Sequence, residues 1–334
     1  MTEMRREIHV AATPEAVWQE ITKRGRNVWY FLLDVEGDFE TGGRVVWKAG
    51  DEVAEEAEVV AAQPPHRLEL LTKLLFAPNL AALPPHRLVW EVAPEDGGSR
   101  VTLSWDGEPA ASNLYESEGE GLLRGLRLAV DPSAREELAR LPEIGEVEVR
   151  DVTPERVDDY LDFFDHRAFR DFPAWQSCYC MVTHRDHTDE EWAERTGADN
   201  RADMRELIGA GRVTALLAYV DGKPVGWCNY GETTRLSGVM QKLQLDAAEH
   251  KGVGSIACFV IAAPYRGHGV ATKLLDAAVD RLRARGLRAV EAYPRRKDEG
   301  NDQAHYRGSW RMFEKAGFTP YRETERYSVV RKEL

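Results

Sequence analysis

The chain has 334 residues, of which 43% are hydrophobic and 30% charged, with a formal net charge of −13. This length predicts two domains of ordinary size and a soluble globular composition; no apolar run approaches the roughly 18 residues that span a bilayer. Residues 1–146 hold 15 basic against 27 acidic side chains, which argues against nucleic acid as a partner, whereas the remainder is nearly balanced. From the N-terminus, residues 6–10 alternate like an edge strand. Thr13-Pro14-Glu15 then starts a helix, with a capping threonine and proline at the first helical position, that carries Val17, Trp18 and Ile21. Strands follow at 35–40, 44–49, 57–62, 67–72, 87–92 and 100–105, broken by the turns Thr41-Gly42-Gly43, Gln63-Pro64-Pro65-His66 and Glu95-Asp96-Gly97-Gly98. A helical segment over 116–130 closes the run. One helix, an antiparallel sheet and a closing helix predict an α+β layout in which a curved sheet grips the last helix.

In its local text this first segment, 1–130, resembles the activator-of-heat-shock-ATPase-like branch of the START-like (SRPBCC, helix-grip) superfamily. The matching stretches are Glu7-Ile8-His9-Val10 with Thr13 to Trp18, Gly42-Gly43, Pro65-His66-Arg67-Leu68, and Asp96-Gly97-Gly98-Ser99 through Leu103. All of these are structural motifs, and none is catalytic. The resemblance implies a cavity between sheet and helix that holds a hydrophobic ligand or contacts a partner. Trp18, Trp29, Trp47, Trp90 and Trp105 either line such a cavity or fill a core.

Asp131-Pro132 restarts a short helix, and Pro142 to Gly145 breaks it, so 131–146 is expected to be a linker. The second domain, 147–334, opens with a strand at 146–152 and a helix from Thr153-Pro154-Glu155. Thr188 and Glu191 form a capping box, and Asp221-Gly222 turns a hairpin between 212–220 and 225–230. A continuous apolar strand, 255–262, runs into Arg266-Gly267-His268-Gly269-Val270-Ala271 and then an amphipathic helix to about 285. A strand at 288–293, a helix at 308–316 and a strand at 326–332 complete the order.

A glycine-rich turn between a buried strand and a helix places free backbone N–H groups at the positive end of the helix dipole, which is a phosphate cradle made of backbone. Gly267 and Gly269 permit the positive φ such a loop needs, and Arg266 can add a charge-assisted bond. A dinucleotide fold would carry a third glycine in the first strand-to-helix turn. This loop instead follows the fourth strand of its domain. The basic run Arg281, Arg283, Arg285, Arg288, Arg295, Arg296 and Lys297 is either a solvated face or a site for a second phosphate.

This architecture resembles the GNAT acyl-coenzyme A N-acyltransferases, an α/β fold with a mixed, splayed sheet. Residues 266–271 match the family signature Arg/Gln-x-x-Gly-x-Gly/Ala at every defined position, and Ala316-Gly317-Phe318 matches its closing motif. The resemblance implies acetyl-CoA as co-substrate. Backbone N–H groups of Gly267, His268, Gly269, Val270, Ala271 and Thr272 would then hold the pyrophosphate, and the main chain at Phe259, Val260 and Ile261 would face the pantetheine as an added strand does. An ammonium cannot attack a thioester, so a base or a water chain must remove a proton. The oxyanion needs a donor, for which the N–H of Phe259 or Val260 is the candidate. Many relatives protonate the thiolate with a tyrosine four residues before the closing glycine, but this chain has Phe313 there. The acid is therefore sought among Tyr306, Ser309 and Tyr293. The base is sought in Glu291 or Glu249, with His250 and His268 as weaker candidates.

Cys178, Cys180, Cys228 and Cys258 make no disulfide framework in a chain this long, and no signal-peptide core opens it, so a cytoplasmic location is expected. Cys178, Cys180, His184 and His187 have zinc-ligand chemistry at a spacing tighter than structural sites use, and no metal is expected. The leading expectation is an N-acetyltransferase acting on a small-molecule or peptide amine, with the first domain binding substrate or a hydrophobic ligand. A CoA-binding, ligand-responsive sensor and a chaperone-associated protein are the alternatives.

Overall fold

The computed structural model describes residues 4–188, 191–192, 194–295, 305–323 and 327–334. The chain forms two compact units that are not contiguous in sequence. The first takes Met1–Ala139, Asp171–Ser177 and His187–Asp199, and the second takes Arg140–Arg170, Cys178–Asp186 and Asn200–Leu334. The step at Ala139 and Arg140 lies inside the stretch read as a linker. The two short excursions have no counterpart in the sequence reading.

The first unit is built from β1 (Met4–Val10), α1 (Pro14–Ile21), β2 (Gly25–Asn27), β3 (Leu33–Gly37), β4 (Arg44–Ala49), β5 (Glu52–Gln63), β6 (Arg67–Leu74), α2 (Pro78–Ala81), β7 (His86–Glu95), β8 (Gly98–Trp105), α3 (Pro109–Val130) and α4 (Pro132–Glu136). Its sheet runs β1-β8-β7-β6-β5-β4-β3-β2, antiparallel throughout. Thr13 caps α1 by accepting from the Ala16 N–H. α3 starts seven residues before the expected 116, because Pro109 pre-sets the first helical φ. Tyr115, Leu122, Leu123 and Leu126 recur at helical spacing on one face of α3 and bury against Trp90, Leu103 and Trp105 of the sheet. Gly125 lets this face come close: a Cβ there would stand 3.0 Å from the Trp29 carbonyl oxygen.

In the second unit, β9 (Glu148–Asp151) and α4's successor α5 (Val157–His166) precede β10 (Ala215–Val220), β11 (Lys223–Glu232), α7 (Ser237–Lys242), β12 (Val253–Ile261), α8 (Val270–Ala284), β13 (Ala289–Ala292), α9 (Trp310–Lys315), β14 (Thr319–Glu323) and β15 (Ser328–Glu333); α6 (Gly197–Gly209) spans the boundary between units. The sheet order is β14-β15-β13-β12-β11-β10-β9, with β12 and β13 parallel and every other pair antiparallel. Asp221 and Gly222 both adopt positive φ, 50° and 73°, as a two-residue hairpin turn with the right twist requires. Thr188 and Glu191 exchange the two bonds of a capping box. Val270, Leu274, Leu275, Ala278, Val279 and Leu282 form the apolar stripe of α8, which packs on the sheet. α6, α7 and β14 were not anticipated, since their segments are largely polar or short and show no clear period.

Candidate active site

Two features of β12 set the geometry. β13 pairs with it only from Val253 to Ile256, so the rest of that edge, out to Ile261, has no strand partner among the described residues. Beyond Ile261 the chain makes one tight turn, Ala263–Tyr265, and enters the glycine loop. Gly267 and Gly269 sit at φ 75° and 78°, and Gly269 is the residue before the first turn of α8. Lys273 makes the first intrahelical bond, to the Gly269 carbonyl at 3.0 Å. The N–H groups of Val270, Ala271 and Thr272 precede it and are open to a ligand at the positive helix end. Arg266 turns back instead, donating from Nε to the Ile261 carbonyl at 3.0 Å.

A residue from the start of the second unit covers this loop. The Arg140 guanidinium lies against Gly267, where a Cβ would meet its Cζ at 2.7 Å, and Nη2 donates to the Gly267 carbonyl at 3.1 Å. His268 Nε2 is 2.8 Å from the Leu141 carbonyl and 3.4 Å from Arg140 Nε. One nitrogen cannot donate to the first and accept from the second, so the shorter contact makes it the donor to Leu141. The predicted arginine cluster lies elsewhere. Arg281, Arg283 and Arg285 are at the far end of α8, about 20 Å from the loop at 1.5 Å per residue. Arg281 pairs with Asp151, Arg283 with Asp280, and Arg288 donates to the carbonyls of Glu249 and Lys251. Arg296 and Lys297 lie outside the described residues.

Along β12 the N–H groups alternate between its two edges. Ala262 donates toward β11, to the Val225 carbonyl, so the Val260 N–H faces β11 as well, and those of Phe259 and Ile261 face the open edge. The Phe259 N–H is bonded to the Tyr306 carbonyl at 2.6 Å. Tyr306 thereby anchors a small polar cluster beside this edge. Its hydroxyl is 3.1 Å from that of Tyr327 and accepts from Arg307 Nε at 3.3 Å. The Arg307 guanidinium lies over the Tyr327 ring, 4.7 Å from its centroid. Burial pushes the Tyr306 phenol up to about 12. Burial acts the same way on Tyr327, but the Arg307 and Lys242 charges and the hydrogen bonds from Tyr306 and Arg307 together outweigh it and hold that phenol below its ordinary value.

The other candidates are engaged structurally. Ser309 Oγ accepts from the Met312 N–H and caps α9. Glu291 is fully buried, receives Arg331 Nε at 3.0 Å, and stands 3.3 Å from His250 Nε2. His250 Nδ1 is held by the Asp246 carbonyl. Tyr293 hydrogen-bonds Ser255, which in turn bonds Thr233, and burial pushes its phenol up. Glu249 is exposed. Phe313 is a core ring stacked near Phe259 and Phe318.

On the β11 side of the site, Asn229 donates its amide to Thr183 Oγ1 and lies 2.7 Å from His184 Nε2, and the Trp227 N–H points to Cys180 Sγ at 3.1 Å. Burial lowers His184 to about 4, so its ring is neutral near pH 7. His187 stacks on Trp192. No group of three or more His, Cys, Asp or Glu among the described residues is arranged to hold a metal. No helix among them is long and apolar enough to cross a membrane.

In the first unit, Trp29, Trp47, Trp90 and Trp105 are buried core residues and Trp18 packs against them. The space left beside Trp29, Trp47 and Trp90 is about 10 Å³, room for one water. A cleft of about 250 Å³ lies outside the grip, lined by Lys23, Val28, Leu128, Phe172 and Pro173. Within the grip, Tyr30 donates to the buried Glu55, and burial raises that carboxyl to about 8.

Residues 152–318 match the acetyltransferase (GNAT) family, and residues 11–122 match the family of activator of Hsp90 ATPase homolog 1-like proteins. Among solved structures, the chain is similar to the Aha1 dimer from Colwellia psychrerythraea, with 14% identity over 40% of this chain and 98% of that one and a TM-score of 0.33. It is also similar to an N-acetyltransferase from Staphylococcus aureus Mu50, with 14% identity over 57% of this chain and 98% of that one and a TM-score of 0.33. The PaiA N-acetyltransferase from Thermoplasma acidophilum in complex with coenzyme A gives 13% identity over 57% of this chain and 99% of that one, at a TM-score of 0.36. None of the curated proteins compared matches the chain.

Proposed function

This chain belongs to the GNAT acetyltransferase family and carries an activator-of-Hsp90-ATPase-like domain ahead of it, and we propose that it transfers an acetyl group from acetyl-CoA to an amine by direct attack. The observation that carries this reading is the open edge of β12 leading into a loop with two positive-φ glycines and a free helix N-terminus. A pyrophosphate fits there, since a Cβ at Gly269 would meet nothing within 4 Å. Acetyl-CoA, when bound, supplies a thioester carbonyl activated toward amines.

The protein's own groups have separable tasks. The N–H groups from Gly267 to Thr272 hold phosphate oxygens, and the open-edge main chain of Phe259 and Ile261 aligns the arm that follows. Val260 faces β11, which leaves Phe259 as the oxyanion donor of the pair, once the Tyr306 carbonyl moves off its N–H. Tyr327, kept acidic by Arg307 and hydrogen-bonded to Tyr306, protonates the departing sulfur. The ammonium releases one proton to solvent, nitrogen bonds the acyl carbon as the C–S bond breaks, and the second nitrogen proton restores Tyr327. The cleft of about 250 Å³ in the first unit supports a ligand-binding role for that domain. A cytoplasmic location belongs to the same reading, in keeping with four free cysteines.

Two observations favour a second reading, a CoA-responsive binding protein with little turnover: Phe313 in place of the familiar tyrosine, and the bond that occupies the Phe259 N–H. Calorimetric titration of the full chain with acetyl-CoA, followed by an amine screen that monitors free thiol, separates them. Absence of binding removes both readings, and binding without thiol release over the whole screen leaves the second.

A further inference from the structure

Among the described residues, Arg307 is a buried cation that no carboxylate pairs. It is 5% exposed, and its partners are two phenols, Tyr306 through Nε and Tyr327 through the face of its ring. No carboxylate among the described residues pairs with it, and its Nη1 has no hydrogen-bond partner among them. Arg331 in the same unit shows the usual solution, since its guanidinium is spent on Glu291. Withdrawing a guanidinium from water costs several kcal/mol unless an anion compensates it. The group lies beside the open edge: the carbonyl of the preceding residue, Tyr306, accepts from the Phe259 N–H, and Cys258 lies within electrostatic reach of the guanidinium. Lys242 adds a second positive charge near Tyr327.

On the acyltransferase reading, on which this inference rests, we propose that Arg307 receives the carboxylate of a reactant, borne either by the amine acceptor or by the acyl chain of the donor. The substrate class is then an amino acid or another amino-carboxylate in the first case, and a dicarboxylic acyl thioester in the second. Nη1 donates to the carboxylate oxygen while Nε keeps its bond to Tyr306, so substrate recognition and the phenol pair share one side chain.

Two arms on the full chain test this. In the first, amino acids are compared with their neutral amides as acceptors of the acetyl group. In the second, succinyl-CoA is compared with butyryl-CoA toward an uncharged amine. We expect one arm to show kcat/KM about 10- to 100-fold higher for the carboxylate-bearing member, the effect of one charge-assisted hydrogen bond. Arg307→Gln lowers kcat for both members of a pair alike through Tyr327, abolishes the preference by raising KM for the carboxylate reactant alone, and leaves the calorimetric Kd of coenzyme A unchanged. Arg307→Lys retains part of the preference. Equal rates in both arms overturn the proposal, as does a preference that survives Arg307→Gln; the wild-type comparison decides alone if the variant does not fold. Turnover without carboxylate preference sinks this inference and spares the acyltransferase reading, whereas failure to bind acetyl-CoA removes both.

Discussion

Replacing Glu291 by glutamine separates a catalytic base from a counter-ion. The carboxylate is fully buried in β13, with Arg331 Nε at 3.0 Å and His250 Nε2 at 3.3 Å. At that spacing, with an effective dielectric constant of about 20, the gross attraction to the guanidinium is about 5 kcal/mol. Removing one member of such a pair leaves the other charge buried and costs about 3–5 kcal/mol. Over a unit of this size, at about 2–4 °C per kcal/mol, that is a fall of roughly 6–20 °C in Tm. The assay is a thermal melt of the full chain by near-ultraviolet circular dichroism, with thiol-release kinetics measured well below both transitions. The double change Glu291→Leu with Arg331→Met should recover most of the loss, because no charge is then stranded. An unchanged Tm together with a loss of about a hundredfold or more in kcat would refute the reasoning and make Glu291 the base.

Further outcomes follow from the same structure. Gly269→Ala places a side chain at φ 78° in otherwise open space, so it should cost about 1–2 kcal/mol of backbone strain and weaken acetyl-CoA binding about tenfold by calorimetry. Unchanged binding would argue against the cradle. Tyr327→Phe should lower kcat about a hundredfold with little change in the KM for acetyl-CoA, and a wild-type rate would remove the phenol from the reaction. Burial holds Glu55 protonated up to about pH 8, against an ordinary value near 4.5, so the folded state binds a proton that the unfolded chain has lost. Stability of the first unit should therefore fall, by an amount on the order of 4–5 kcal/mol, as pH rises from about 4.5 to about 8, and then level off. Glu55→Gln should flatten that slope in urea titrations across the range, and a persisting slope would assign it to another group.

Features whose cause lies within a few residues were legible in the chain. Thr13 before Pro14 caps a helix because its oxygen reaches the Ala16 N–H, and Asp221-Gly222 turns a hairpin because both residues tolerate positive φ. The loop at 266–271 was legible for the same reason, as two glycines between a buried strand and an amphipathic helix. Side-chain roles were not. Arg266 has a phosphate-binding type but turns back onto Ile261, and Ser309 has a hydroxyl but spends it on capping α9. Arg140 covers Gly267 from 127 positions away, and nothing in its own segment marks it.

The sequence by itself determined two folds and the strand-to-helix glycine loop of the second, because helix stripes, turn glycines and a strand-to-helix loop are short-range properties. Only the tertiary structure decided which polar groups remain available for chemistry. Glu291 is neutralised by an arginine 40 positions later, the Val260 N–H is turned to β11, and Tyr306, Arg307 and Tyr327 meet beside the open edge. Those outcomes depend on the parting of β12 from β13 and on what packs beside it, which is a property of the assembled sheet rather than of any stretch of chain.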